Sequence, residues 1–129
     1  MVSSISGPNP TTLVAHFTNG NTDFFHSRVY LWNPSSSVGE VTARVFTLPA
    51  TGGTPQELTD TPFSLGTLGA ESGRNIKLAE DILVALGIPL PYTDNGGNLM
   101  VEFTIQAPNV RGAAQVFNSD LAFGTYPLQ

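Results

Sequence analysis

The chain has 129 residues, carries a formal net charge of -5, and devotes only 12% of its length to charged side chains. That length holds one domain with a core of its own, and the absence of cysteine excludes disulfides, thiolate metal sites and cysteine nucleophiles. With Lys77 as the sole lysine, no basic stripe exists for phosphate backbones or anionic lipid, so neither nucleic acid nor membrane is an expected partner.

In chain order, "MVSSISGPNPTT" lacks the basic run and apolar stretch of a secretory leader and does not read as a signal peptide. Residues 1–10, small and polar, read as an arm, and residues 11–129 as a single domain. "TTLVAHF" (Thr11 to Phe17) is a first strand, closed by the turn formers "NGN". "DFFHSRVYLW" follows and stops at Asn33-Pro34, where proline lacks the ladder's N–H and restrains its neighbour. "GEVTARVFTL" (Gly39 to Leu48) alternates again, and the polar stretch from Ala50 to Thr61 reads as a protruding loop or a connection between sheets. "FSLGTLGA" and "GRNIKL" are two short strands, the second with Ile76 and Leu78 in phase and Asn75 and Lys77 opposite.

"LAEDILVALG" (Leu78 to Gly87) then shows helical spacing, with Glu80 and Asp81 where a helix N-terminus favours acids and Gly87 as its stop. About two turns of helix near 79–86 are expected across one end of the fold. "NLMVEFTIQAP" is the clearest strand, with Leu99, Val101, Phe103, Ile105 and Ala107 on one face. "NVRGAAQVFNS" is another, and the tail "DLAFGTYPLQ" suits an edge strand because of Pro127. About seven or eight short strands separated by turn signals predict an all-β protein, an antiparallel β-sandwich that is immunoglobulin-like or jelly-roll-like. Solubility resting on Ser, Thr, Asn, Gln and Gly is the surface style of exported domains, so an extracellular or cell-surface location is favoured over the cytoplasm.

The stretch from Ser27 to Phe46 carries the candidate site. Alternation puts Ser27, Val29 and Leu31 with Val41, Ala43 and Val45 on an inner face. Read as a hairpin, its other face gathers Arg28, Tyr30, Trp32, Arg44 and Phe46. A register pairing Tyr30 with Arg44 and Arg28 with Phe46 avoids opposing the two arginines and allows cation–π contacts. Such an aromatic and Arg-rich surface suits a subunit interface, a ligand platform such as one for sugars, or cover from within the chain. The small residues Gly112 to Ala114 invite a close approach, and Tyr30 or Trp32 is a natural occupant of the space above them.

Other sites weigh less. Asn19, Asn21 and Asp23 have the alternate spacing of an oxygen-ligand calcium loop, as do Asp94 and Asn98, but simple turns explain both stretches better. His16 and His26 lie on different strands without a third ligand. Ser35, Ser36 and Ser37 lack a nucleophile's context, no glycine loop cradles phosphate, and an enzyme or a cofactor is not expected.

The order "VYLWNPSSSVGEVTARVF", "LGTLGAESGRNIKLAEDI" and "GGNLMVEFTIQAPNVRGAAQVF" resembles bacterial surface-domain β-sandwiches and, more distantly, the sensory rhodopsin transducer family, over roughly residues 28 to 118. The resemblance implies a cysteine-free sandwich that forms homo-oligomers and binds or signals without catalysis. The composite expectation is a non-catalytic, self-associating interaction module of a bacterial surface or signalling system, or else a carbohydrate-binding module using the aromatic strand face.

Overall fold

The computed structural model describes residues 10–17, 26–47, 53–58, 62–88, 99–117 and 122–128. These form an antiparallel sandwich of two sheets. The strands are β1 (Thr11–Phe17), β2 (His26–Asn33), β3 (Gly39–Thr47), β4 (Gln56–Glu57), β5 (Phe63–Leu68), β6 (Ser72–Lys77), β7 (Leu99–Ile105), β8 (Arg111–Phe117) and β9 (Ala122–Pro127). One sheet runs β1-β7-β3, with β5 and the two-residue β4 sharing the far side of β3; the other runs β6-β2-β8-β9.

Alternation determines which side chains are buried. Leu99, Val101, Phe103, Ile105 and Ala107 all turn inward and lose their solvent contact, and Val41, Ala43 and Val45 do the same one strand away. From the opposite sheet Val29, Leu31, Ile76 and Ala114 meet them, so two period-2 patterns close on one core. Among the described residues the tail strand β9 pairs with β8 alone and ends at Pro127, an edge position where the missing N–H costs nothing.

The helical segment is shorter and wider than its spacing suggests. A π-type turn occupies Leu78–Leu83, beginning without a linker from β6, and sends Leu78, Ile82 and Leu83 into the core. Asp81 accepts a hydrogen bond from the Lys77 backbone N–H at 2.9 Å, an acid at the helix start as anticipated. The chain then turns out at Gly87, whose φ is 74°. In the Ala50 to Thr61 stretch, Gln56 and Glu57 pair with Thr47 and Phe46, so part of the presumed loop extends a sheet.

The hairpin between β2 and β3 does not exist. β2 pairs with β6 and β8, while β3 pairs with β4, β5 and β7, and the two strands belong to different sheets. The physical cause sits in the connection. Asn33 is fully buried; its amide donates to the carbonyls of Ser37 at 2.8 Å and Gly69 at 3.0 Å. Its oxygen accepts from the Ser35 N–H at 3.0 Å and the Ser35 hydroxyl at 2.7 Å. This Asx-type bend carries the chain over the end of the sandwich instead of back along its own sheet. The same bonds place Ser35 in a structural role.

Candidate functional site

Because β2 and β3 lie in different sheets, the five predicted residues separate into two groups. Arg28, Tyr30 and Trp32 face outward from the β6-β2-β8-β9 sheet, and Arg44 and Phe46 belong to the outer side of the other. The anticipated Tyr30–Arg44 and Arg28–Phe46 contacts are therefore absent.

Arg44 finds partners on its own sheet. It stands in register with Glu102, forms ion pairs with Glu57 at 3.0 Å and Glu102 at 3.4 Å, and lies 5.0 Å from the centroid of the Phe46 ring. The hydrogen bond with Glu57 leads in raising the Arg44 pKa above its ordinary value, so the guanidinium is a fixed charge held within a surface network. Arg28 is engaged as well, its Nε donating to the Gln115 side-chain oxygen at 2.7 Å.

Tyr30 and Trp32 behave differently. They are 45% and 40% exposed, two large apolar rings on adjacent outward positions of one strand. Each has a small neighbour in register on one side: Tyr30 lies between Asn75 and Ala113, and Trp32 between Gly73 and Arg111. Tyr30 leans across Gly73, where an added Cβ would fall 1.8 Å from the tyrosine oxygen. A side chain at that position would push the ring aside. Gly112 serves the inner face instead, with Leu31 and Leu128 packed where its side chain would be.

The result is an open depression of about 210 Å³ lined by Tyr30, Trp32, Arg111, Gly112 and Ala113. Part of the "GAA" run forms its floor, but neither ring fills the space above that run as expected: Tyr30 leans over Gly73 on the other side, and Leu31 and Leu128 take the space at Gly112. Arg111 was not among the predicted residues. Nothing in its local sequence distinguishes it from a solvated strand arginine, and only its register with Trp32 makes it part of the site. Its side chain makes no hydrogen bond or ion pair with the described residues.

Around the depression, the outward positions described on these strands carry Arg28, Lys77 and Arg111 and no carboxylate. Glu80 approaches Lys77 at 3.5 Å from the helical turn. An acidic chain thus presents one locally cationic sheet face. The opposite outer face includes Glu40, Glu57 and Glu102.

Asn19, Asn21 and Asp23, the calcium candidates, lie outside the described residues, as do Asp94 and Asn98. His16 is on β1 opposite Met100, and His26 opens β2 in the other sheet, so the two do not share a ladder. Among the described residues no three His, Asp or Glu side chains converge in a way that could hold a metal ion. No helix among them is long and apolar enough to cross a membrane. No protein-family model matches the chain, and neither a curated protein nor a solved structure does.

Proposed function

We propose that this protein is a non-catalytic recognition module that binds saccharides on the outer face of its β6-β2-β8-β9 sheet. One observation carries the reading: Tyr30 and Trp32 stand exposed side by side above a glycine and alanine floor. Aromatic faces are suited to the C–H-rich faces of pyranose rings, and two residues along a strand set the side chains about 7 Å apart. A rigid sheet supports such a platform without loop ordering on binding.

A subunit interface on the same face would need about 800 Å² from each partner. Spreading that far takes in Arg28, Lys77 and Arg111, which a two-fold axis would place near their own copies in opposition to like charge. Self-association is the second reading, in a front-to-back form, because the outer face of the other sheet includes Glu40, Glu57 and Glu102.

Affinity electrophoresis against a panel of neutral and acidic polysaccharides tests the first reading. The wild type is expected to be retarded by at least one of them, and Trp32→Ala and Tyr30→Ala to migrate freely while keeping their fold. Light scattering coupled to size exclusion checks the second: a defined oligomer that Trp32→Ala dissociates, with no retardation by any glycan, would replace the saccharide reading.

A further inference from the structure

We infer that the ligand of the Tyr30–Trp32 platform is an acidic saccharide, whose hexuronate ring stacks on the aromatics while its carboxylate pairs with Arg111. This rests on the saccharide reading of that face and adds the class of sugar.

The argument begins with the fate of the arginines. Arg28 is bonded to Gln115, Arg44 to Glu57 and Glu102, and Arg74 to the carbonyl of Leu65. Arg111 is left without a partner among the described residues, on a chain whose acids outnumber its bases ten to five. A guanidinium with no partner among the described residues, beside exposed aromatics, is an attachment point for a negative group.

Register then sets the geometry. Arg111 is directly opposite Trp32 across the β2–β8 ladder, on the same outward side, and both line the depression. A ring seated on the indole therefore has a cation at its rim, and a carboxylate held on a sugar ring matches the planar fork of an arginine.

Competition is also weak. The outward positions described on these strands offer no carboxylate to neutralise Arg111 intramolecularly. Lys77 and Arg28 lie further along the same face and extend the attraction to a chain of several acidic sugars. The opening of about 210 Å³ suits one ring and its substituents.

A neutral sugar would stack equally well and leave Arg111 hydrated, so selectivity comes from added attraction, without exclusion of the neutral ligand. Calorimetric titration with trigalacturonate and with galactotriose separates these contributions. The wild type is expected to favour trigalacturonate by roughly ten- to a hundred-fold, the scale of a charge-assisted hydrogen bond, and the preference should shrink with salt. Arg111→Ala should lose most of that preference while retaining galactotriose affinity, the remainder coming from Lys77 and Arg28 along the same face, and Arg111→Lys should fall between. Arg111 is exposed, so these variants are expected to fold, which circular dichroism checks. Equal wild-type affinity for both sugars overturns the acidic class, and a preference undiminished in Arg111→Ala overturns the pairing with Arg111; either result leaves the platform standing. If the wild type binds neither sugar at millimolar concentration while retarded by another neutral glycan, the acidic class alone is lost. No binding to any saccharide removes the platform and this inference together.

Discussion

Replacing Asn33 by alanine should unfasten the end of β2 and with it the position of Trp32. The Asn33 amide donates to two carbonyls, Ser37 and Gly69, and its oxygen accepts two bonds from Ser35. Alanine leaves the Gly69 carbonyl and the Ser35 backbone N–H without that partner, while the Ser37 carbonyl still has the Ser35 hydroxyl at 3.2 Å. Each such group costs roughly 1–3 kcal/mol when it stays dry. Ser35, Ser37 and Gly69 are only half-buried, so water reaches part of the gap, and a net loss of about 2–3 kcal/mol is expected. At an unfolding entropy of about 2.1 cal/mol/K per residue, a chain of this length loses about 4 °C per kcal/mol, so Tm should fall by about 8–12 °C. Differential scanning calorimetry measures it. A drop under about 2 °C would mean that water replaces the amide fully and that the bend does not depend on it.

Asn33→Asp sharpens the same test. Its carboxylate would face the Ser37 and Gly69 carbonyls, which disfavour the charged form and raise the folded-state pKa above the unfolded one. Stability then falls as pH rises from the unfolded pKa through the folded one, and recovers on acidification. A deficit relative to wild type that stayed constant from acidic to neutral pH would contradict the orientation assigned to the amide.

Gly73→Ala should keep the fold, since the clash falls on the outer end of Tyr30, but displace that ring and weaken saccharide binding; unchanged affinity would show that Tyr30 takes no part. Arg74 is an inward-turned edge residue, opposite buried Leu31, whose guanidinium reaches across to the Leu65 carbonyl in the other sheet. Arg74→Met is expected to lower stability by about 1–2 kcal/mol in urea titration and to promote aggregation along the exposed β6 edge. Arg44→Gln and Phe46→Ala lie on the far face, so both should bind saccharide like the wild type; a large loss in either would place the ligand on the wrong sheet.

The strands were legible in the amino-acid sequence because a period of two needs no tertiary information. In Leu99 to Ala107 every second residue is apolar, and every one of those is buried. β1 runs from Thr11 to Phe17 as its pattern indicates, Pro127 is on an edge strand, and Gly87 takes the positive φ of a turn four residues after the helical segment ends at Leu83. A sandwich follows from that pattern together with length and cysteine content. The alternation of Ser27–Leu31 and Val41–Val45 also marks the correct inner residues, all of them buried.

Alternation says which side faces the core but not which sheet a strand joins. A hairpin and an arch between sheets bury the same residues of β2 and β3, so the sequence pattern is silent between them. The decision lies in the buried bonds of Asn33 to Ser35, Ser37 and Gly69, the last of these 36 residues away along the chain. That bend separates Tyr30 and Trp32 from Arg44 and Phe46, and the β2–β8 register brings Arg111 to Trp32 in their place. Composition alone determined that the surface would carry few charges; only the pairing of distant strands decided which of them stand beside the exposed aromatics.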